Sequence, residues 1–292
     1  MITKFTSVHD FMILSMKEYF RTNNIHSAVL GISGGIDSTL VAVILNHVSN
    51  EFKKEGYDFT FYGISLPTNT TPSEEYKSSI NVCNAFCDNF YVVNLSEISE
   101  QVSSWLKITD IELNKNFDSI RSGNSKARLR MLYLYDFAKK VNGIVIGTDN
   151  YTEYLLGFST IGGDALFDYN PIQELWKTEV FTMSNELYLY YIEKNEKEKA
   201  EAILESLKLK PMDGLGISND DMEQIGARHY YDVDDILCWY LNNKESEIPD
   251  YILSSTDGFQ IKKEVIKKII NRHKNSEFKR NHPVTLKRKQ FI

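Results

Sequence analysis

The chain has 292 residues, of which 42% are hydrophobic and 25% charged, proportions that are ordinary for a soluble globular protein. No apolar run approaches the roughly 18 residues that a transmembrane helix needs, and residues 1–10 lack the pattern of a signal peptide. Three cysteines, an odd number, argue against a disulfide framework and favour a reducing, cytoplasmic location.

The net charge of −7 is unevenly distributed along the chain. Residues 261–292 carry eleven Lys and Arg against two Glu, a net charge of +9, so the rest of the chain is strongly acidic. A basic C-terminal segment is compatible with nucleic acid, with an acidic small molecule or with an acidic partner surface. No interleaved aromatic pattern marks a stacking platform for bases, so we do not expect a nucleic acid partner.

Strands and helices alternate over the first half of the chain. The residue patterns predict, in order, a helix over 8–20, a strand over 28–32, a helix over 37–49, a strand over 59–66, a helix over 73–86, a strand over 90–95, helices over 98–113 and 127–140, and a strand over 143–147. This alternation predicts an α/β fold, a Rossmann-like parallel sheet with helices on both faces. In such a sheet, ligands bind at the carboxyl ends of the strands.

From about residue 173 the pattern is helical, with helices predicted over 175–191, from 232 onwards and over 261–273. The nearly all-charged segment 193–199 is interpreted as a solvated helix face, because Lys and Glu are interspersed along it. We therefore predict one domain over residues 1–292, whose C-terminal part is helical.

A small apolar strand, two adjacent glycines and a helix start follow one another over residues 28–40. The glycines let backbone N–H groups converge on one point, at which the helix also aims its positive N-terminus. Ser33 and Ser38 add hydroxyl donors, and Asp37 is suited to hold Mg²⁺ against phosphate oxygens. The segment predicts a phosphate-binding loop, with a turn that merely caps a helix as the alternative.

This loop is neither G-x-x-x-x-G-K-[ST], since no lysine follows the glycines, nor G-x-G-x-x-G. Its Ser-Gly-Gly-Ile-Asp-Ser at 33–38 resembles the pyrophosphate loop of the ATP pyrophosphatases, which split ATP into AMP and pyrophosphate. That resemblance implies the adenine nucleotide alpha hydrolase-like form of the Rossmann-like fold.

A polar cluster stands at the start of the helix predicted over 127–140. Asn124 and Arg128 lie one turn apart and on the same helix face. Their amide and guanidinium groups are able to fix an anionic or amide-bearing ligand by directional hydrogen bonds. A plain solvated helix face is the alternative for Arg128 and, more strongly, for Arg130.

Two more polar segments follow the fourth predicted strand. Thr148 is a hydroxyl at the strand end, and Glu153 is a carboxylate able to join Asp37 on Mg²⁺. Taken alone, Glu153 is as well explained by an exposed surface carboxylate. A loop bearing Gly and Asp over residues 157–172 then leads to the cationic Lys177.

Taken together, these segments resemble the NAD synthetase family over most of the chain, from about Phe5 to His273. The markers are Ser-Gly-Gly-Ile-Asp-Ser at 33–38, Gly-Asn-Ser-Lys-Ala-Arg-Leu-Arg-Met at 123–131, Gly-Thr-Asp-Asn-Tyr-Thr-Glu at 147–153, Gly-Phe-Ser-Thr at 157–160, Pro-Ile at 171–172 with Lys177, and His273-Lys274. The resemblance implies ATP-dependent amidation of nicotinic acid adenine dinucleotide with ammonia, through an adenylate, with release of AMP and pyrophosphate. It also implies Mg²⁺, a cytoplasmic homodimer and a dinucleotide site at the dimer interface.

The same resemblance implies a role for individual residues. It assigns catalysis to Asp37 and Lys177, and the metal to Asp37 and Glu153. The residues that it assigns to ATP binding are Gly31, Ser33, Gly34, Gly35, Ile36, Asp37, Ser38, Thr148 and Lys177. Those that it assigns to the dinucleotide are Asn124, Arg128, Tyr135, Asp164, His273 and Lys274. A merely charged terminus is the alternative for the last two.

Four positions depart from the family pattern, namely Ser65 for an arginine, Ile161-Gly162 for Lys-Tyr, Met212 for Thr or Ser, and Met222 for Glu. They keep two other functions open. One is a different ATP-dependent adenylating enzyme acting on a base or tRNA, which the basic terminus favours. The other is a non-catalytic nucleotide-binding protein, which the departures favour and the retained Asp37, Glu153 and Lys177 oppose. The chain is too short for an added glutaminase domain, so we expect ammonia as the nitrogen donor.

Overall fold

A parallel four-stranded sheet organises the computed structural model, which describes residues 2–106, 118–210, 221–243, 247–255, 257–281 and 283. Its strands are β1 (Ser27–Gly31), β2 (Thr60–Ser65), β3 (Asn89–Val92) and β4 (Ile144–Ile146). They lie in the order β3-β2-β1-β4, and all three neighbouring pairs are parallel. The predicted α/β class with a parallel sheet is confirmed.

Helices connect and follow the strands. In the first half these are α1 (Ile2–Thr22), α2 (Ile36–Lys54), α3 (Ser73–Phe86), α4 (Ser96–Leu106), α5 (Asp118–Lys140) and α6 (Tyr151–Leu156). In the C-terminal part they are α7 (Lys177–Glu193), α8 (Lys197–Lys208), α9 (Asp221–Ile225), α10 (Tyr230–Asn242), a 3₁₀ turn (Asp250–Ile252), α11 (Lys263–Asn275) and α12 (Glu277–Arg280). No helix among the described residues is long and apolar enough to cross a membrane.

Side chains of β1 alternate between two hydrophobic clusters, as the two-residue period of a strand requires. Ala28 and Leu30 pack into the larger cluster, which is built with α1, α2, α3, α7 and α8. Val29 points the other way and packs with Phe137 of α5. Both faces of the sheet are therefore covered by helices, as predicted. A third cluster, with Ile236 of α10 and Ile269 of α11 at its centre, forms the core of the C-terminal helices.

Several predicted boundaries were wrong. Helix α5 begins nine residues before the predicted start, because the polar segment Gly123–Ser125 lies inside the helix. Strand β3 ends at Val92 instead of residue 95, and its four residues are exposed at the sheet edge. The helix predicted over 98–113 is described only as far as Leu106, and residues 107–117 lie outside the described part.

The charged segment 193–199 is exposed, but it is a connection between two helices and not one helix face. Helix α7 ends at Glu193, Asn195 adopts a φ of 59°, and α8 begins at Lys197. Ala200 and Ile203 of α8 are each 1% exposed. The charges therefore mark a solvated turn ahead of a helix that is part of the core.

A pair of histidines, the buried His9 and the half-buried His47, links α1, α2 and α7. His47 Nδ1 lies 3.1 Å from His9 Nε2, and His47 Nε2 lies 2.6 Å from the hydroxyl of Tyr191. Burial, which has the largest effect, together with the His9 ring and the Lys199 ammonium, lowers the pKa of His47 to about 4. Burial also lowers the pKa of His9, against the opposing effect of Asp10. Both rings are neutral in the folded protein at pH 7.

We expect this pair to make the protein sensitive to acid. An unfolded chain binds a proton at His47 near pH 6.5, whereas the folded chain binds it near pH 4, so the free energy of unfolding falls as the pH drops between these values. In urea titrations, the stability difference between wild type and His47→Gln should shrink by roughly 2 kcal/mol from pH 7 to pH 4.5. His229→Gln, which alters an exposed histidine, is the control. A difference that is constant with pH would contradict the expectation.

Candidate functional site

A cleft of about 530 Å³ opens at the carboxyl ends of β1 and β4. The chain runs from β1 to β2 and β3 on one side of β1, and the connection after β3 then returns to place β4 on the other side. Such a switch point leaves a crevice outside the strand ends, and ligands of open α/β sheets bind there. The loop that follows β1 and residues 147–149 after β4 form two walls of the cleft.

The predicted phosphate loop, residues 33–38, forms the wall of the cleft that follows β1. Gly34 has a φ of +92°, and a Cβ at this position would lie 2.4 Å from the carbonyl oxygen of Glu75. Gly35 is the N-cap of α2, and its N–H donates to Ser33 Oγ at 3.2 Å. Ser33 Oγ also lies 3.0 Å from Ser38 Oγ. Backbone N–H groups, two hydroxyls and the start of a 19-residue helix thus face one point, which is the arrangement that binds phosphate.

An ammonium group lies between two carboxylates beside this loop. Lys177 Nζ donates to Asp37 Oδ2 at 2.5 Å and to Glu153 Oε1 at 2.9 Å. The Lys177 side chain is 3% exposed, whereas those of Asp37 and Glu153 are 16% and 17% exposed. Burial lowers the pKa of Lys177, but the two carboxylates raise it by more, so its net shift is upward. The amine is charged at every working pH.

Asn150 makes hydrogen bonds to Asp37 and to Glu153. It was not predicted as a site residue. Its Nδ2 donates to Asp37 Oδ1 at 2.8 Å, while its Oδ1 accepts the N–H of Glu153 at 3.0 Å. Glu153 Oε2 in turn accepts the N–H of Asn150 at 3.4 Å, which completes a capping box at the start of α6. The Asn-x-x-Glu spacing was a readable signal for the cap, but not for the contact with Asp37.

Two more carboxyl groups, those of Asp149 and Asp164, line the cleft. Burial raises the pKa of Asp149, and the carboxylates of Asp164, Glu153 and Asp37 raise it further. Burial also raises the pKa of Asp164, although the N–H of Thr160 donates to its Oδ1 at 2.8 Å and opposes the shift. The cleft therefore holds acidic groups whose charge depends on the cations around them.

Eleven of the residues predicted for the site line this cleft. They are Gly31, Ser33, Gly35, Ile36, Asp37, Ser38, Asn124, Thr148, Glu153, Asp164 and Lys177. Gly34 lies behind the loop, with its backbone packed against α3. The segments around 33–38, 147–153 and Lys177 are far apart in the sequence, so the structure brings together residues that the sequence identified separately.

Four residues predicted for the dinucleotide do not line the cleft. Arg128 is exposed, and its Nε donates to the carbonyl of Ile161 at 3.2 Å. The Tyr135 hydroxyl donates to Asp168 Oδ1 at 3.2 Å, and burial raises its pKa to about 12. His273 Nδ1 lies 3.0 Å from the Leu155 carbonyl oxygen, and Lys274 Nζ lies over the Tyr240 ring.

Four cations of the cleft were not predicted as site residues, and one of them is Lys210, which lies shortly after α8. Arg130 lines it, and its Nε donates to the Leu66 carbonyl at 3.2 Å. Arg272 and Lys279 reach it from the C-terminal helices, where Arg272 lies 3.9 Å from the Phe158 ring centroid. Helical spacing did not reveal that Arg130 faces the cleft and Arg128 the solvent.

The departures from the family pattern have different surroundings. Ser65 is 2% exposed and its Oγ lies 2.8 Å from Ser79 Oγ, so it fills its place as a hydrogen-bonded core residue. Arg130 lies close by, at the carbonyl of the next residue. Met222 packs against the hydrophobic cluster of the C-terminal helices. Met212 lies outside the described residues.

The donor set around Lys177 suits a hard divalent cation. Asp37 and Glu153 both offer carboxylate oxygens to one position, and such oxygens are what Mg²⁺ prefers. Within the described part of the chain, no group of three or more His, Cys, Asp and Glu side chains is arranged to hold a metal. A metal at this position would therefore take its other ligands from a bound phosphate and from water.

We expect Gly34→Ala to destabilise the fold by roughly 2–4 kcal/mol, because a left-handed φ is strained and the new Cβ would meet two backbone atoms. Gly56→Ala is a matched control, since Gly56 also has a positive φ, of +69°, but nothing lies within 4 Å of its Cβ position. That change should cost only about 1 kcal/mol. Urea denaturation measures the free energy of unfolding of both variants. Equal losses of stability would show that the loop does not pack tightly against α3.

Comparison with known proteins assigns the chain to a family. The sequence model of the family described as NAD synthase matches residues 8–283. The NH(3)-dependent NAD(+) synthetase of Sulfurisphaera tokodaii is 31% identical over 281 residues, which is 96% of this chain and 88% of that protein. Among solved structures, the NMN synthetase from Francisella tularensis has a TM-score of 0.75 at 22% identity and covers 97% of this chain and 98% of its own.

The NH3-dependent NAD synthetase from Campylobacter jejuni subsp. jejuni is also similar, with a TM-score of 0.70 at 22% identity over 98% of this chain and 100% of that chain. At this identity, the two solved structures establish the fold alone. The family match and the relative from Sulfurisphaera tokodaii cover nearly the whole chain, so the resemblance predicted from the sequence is confirmed. This chain belongs to the NAD synthase family.

Proposed function

We propose that this protein makes NAD by amidating nicotinic acid adenine dinucleotide with ammonia, at the expense of ATP. One observation carries the proposal. A phosphate loop whose Asp37 meets Glu153 and Lys177 lies in a cleft at the carboxyl ends of β1 and β4, in a member of the NAD synthase family. The relative from Sulfurisphaera tokodaii has the matching name, NH(3)-dependent NAD(+) synthetase.

The proposed reaction has two steps. In the first, an oxygen of the substrate carboxylate forms a bond to the α-phosphorus of ATP, and the bond from that phosphorus to the β-phosphate oxygen breaks, which releases pyrophosphate. In the second, the nitrogen of ammonia attacks the carboxyl carbon of the adenylate, AMP leaves and a proton is lost to give the amide. Neither step needs a nucleophilic side chain, so the protein acts by positioning and by neutralising charge.

The residues of the cleft fit these tasks. The N–H groups of the loop after β1, with Ser33 and Ser38, would bind the phosphates that leave as pyrophosphate. Lys177 would neutralise negative charge on the phosphates, since its ammonium is charged and lies beside the loop. Thr148, at the end of β4, would contact the nucleotide across the cleft.

Asp37 and Glu153 would hold Mg²⁺ in this proposal. When bound, the metal would neutralise charge on the phosphate oxygens. The two carboxylates now share the ammonium of Lys177, so the amine would leave them for the phosphates as the nucleotide enters. Asn150 keeps its hydrogen bonds to Asp37 and to the Glu153 N–H, and would hold both side chains in place during that exchange.

We also propose that the protein is a homodimer with the dinucleotide site at its interface. Arg128 and Tyr135 lie outside the cleft, and Leu132 between them is 62% exposed on the same helix. Arg128 and Leu132 are four residues apart and share a helix face, so an apolar side chain is presented beside two predicted dinucleotide residues. A second copy packed on this face of α5 would bring those residues into a shared site.

Sedimentation tests this interface. We expect the wild type to sediment at twice the chain mass of 33.7 kDa, and Leu132→Glu to sediment at the mass of one chain, because a buried charge at the contact is costly. Leu189→Glu changes another exposed leucine, 49% exposed on α7, and should remain a dimer. A wild type at the mass of one chain would contradict the homodimer.

The activity itself is tested with purified protein, ATP, Mg²⁺, ammonium and nicotinic acid adenine dinucleotide, with NAD and AMP measured together. We expect the two products in equal amounts, none with excess EDTA, and a fall of at least about 10²-fold in kcat for Asp37→Ala. Asp10→Ala, which alters an exposed carboxylate on α1, is the control and should behave as wild type.

The other outcomes are informative. Nicotinic acid mononucleotide should be assayed as a second acceptor, because a solved structure of similar fold is an NMN synthetase. AMP without either amide would mean that the acceptor or the nitrogen donor is a different one. Neither product, with nucleotide binding intact, would contradict the proposal and favour a non-catalytic nucleotide-binding protein.

A further inference from the structure

Asp234 of α10 connects three helices that surround the candidate site. Its Oδ1 accepts the hydroxyl of Thr152 on α6 at 2.6 Å. Its Oδ2 accepts both the N–H and the hydroxyl of Thr178 on α7, at 3.0 and 2.8 Å. Asp234 is 6% exposed and Thr152 is fully buried, and neither residue lines the cleft.

The hydroxyl of Thr152 links Asp234 to the backbone of Lys177 by hydrogen bonds. A hydroxyl has a single proton to donate, and Thr152 donates it to Asp234. The same oxygen accepts the backbone N–H of Lys177 at 2.9 Å. The first N–H groups of a helix have no partner within the helix, so Thr152 and Asp234 together cap the first turn of α7.

Helix α10 also contacts the ammonium end of the Lys177 side chain. Tyr230 lies one turn before Asp234 on α10, and the ammonium of Lys177 is 5.5 Å from the centroid of its ring. A cation over an aromatic face is attracted by the electrons of the ring. Helix α10 therefore contacts α7 at the backbone N–H of Thr178 and at the amine of Lys177.

Asp234 is suited to accept hydrogen bonds. Burial raises its pKa to about 6, and its hydrogen bonds with Thr152 and Thr178 oppose this shift. At pH 8 the carboxylate is ionised, so both oxygens are acceptors and all three donors are satisfied. Charged acceptors make the stronger class of hydrogen bonds, which suits a contact that fixes a helix end.

We propose that Asp234 and Thr152 are positioning residues, which fix the first turn of α7 and with it the base of the Lys177 side chain, whose Nζ lies between Asp37 and Glu153 before the nucleotide binds. Their effect on catalysis rests on the function proposed above. A misplacement of 1 Å in a catalytic group can cost about 10²-fold in rate. The alternative is an ordinary helix cap that stabilises the fold and has no particular effect on Lys177.

The placement of Lys177 can be measured without any substrate. At pH 8, an amine-reactive acylating reagent labels lysines according to their exposure, and peptide mass spectrometry reads each site. Lys17 is the internal reference, because it is also buried, at 6% exposed, but lies on α1 in an ion pair with Glu55. We expect Thr152→Val, which keeps the shape and removes the hydroxyl, to raise labelling of Lys177 roughly fivefold or more while Lys17 stays unchanged.

Matched variants separate positioning from folding. Asp234→Asn should behave like Thr152→Val, because the amide cannot accept all three hydrogen bonds. Asp235→Asn changes an exposed carboxylate next in the chain and should match wild type. Thr152→Ser restores the hydroxyl and should bring labelling and kcat back to within about twofold of wild type.

Kinetics then test the consequence. We expect kcat for NAD formation to fall about 10–100-fold in Thr152→Val and Asp234→Asn, with the KM for the dinucleotide changed less than about threefold. Unchanged labelling of Lys177, equal rises at Lys17 and Lys177, or an unchanged kcat would overturn the proposal. If the wild type makes no NAD, the proposed function fails, and selective labelling of Lys177 would still establish that the two residues hold its side chain.

Discussion

The ion pairs of Lys177 are the contacts on which the rest of the structure depends. A buried ammonium is costly unless opposite charges and hydrogen bonds surround it, and the effective penalty is several kcal/mol. Here Asp37 comes from the start of α2, Glu153 from α6 and the lysine from the first residue of α7. Satisfying one charge therefore requires the loop after β1, the segment after β4 and the C-terminal helices to meet in one arrangement.

Hydrogen bonds from α3 and α8 also support the phosphate loop on the side that faces away from the cleft. Ser78 Oγ of α3 donates to the carbonyl of Gly34 at 2.8 Å and lies 3.2 Å from Ser206 Oγ of α8. Ser206 Oγ also lies 2.7 Å from Thr39 Oγ1, in the first turn of α2. Helix α8 thus supports the loop, although its start is a solvated, charged turn. A rigid loop stabilises developing charge without rearranging at the moment of reaction.

Patterns that depend on neighbouring residues were readable from the sequence. The alternation of strands and helices predicted the parallel sheet, and the run from Ser33 to Ser38 predicted the phosphate loop. The markers at 147–153 and at Lys177 identified the other residues that meet Asp37. These predictions succeeded because a strand end, a glycine turn and a helix start are local features, and parallel strands gather their carboxyl ends at one edge.

Other features depended on distant partners and were not readable. Arg130 faces the cleft while Arg128 faces solvent, since the orientation of α5 is set by its packing against β1 and β4. The charged segment 193–199 was interpreted as a solvated helix face, yet it leads into α8, whose Ala200 and Ile203 are in the core. Asp234 was predicted only as part of a helix start. Its contacts were not predictable, because its partners Thr152 and Thr178 are 82 and 56 residues away in the sequence.

The sequence by itself determined the class of the fold, the family and eleven of the residues that line the cleft. It did so because strand, loop and helix signals are short, and because the order of the markers is specific. Only the tertiary structure decided that the two carboxylates share one ammonium, that Asn150 bridges them, and that α10 caps the helix that carries Lys177. Those contacts join residues that are 24 to 140 positions apart in the chain, and their geometry exists only once the core has packed.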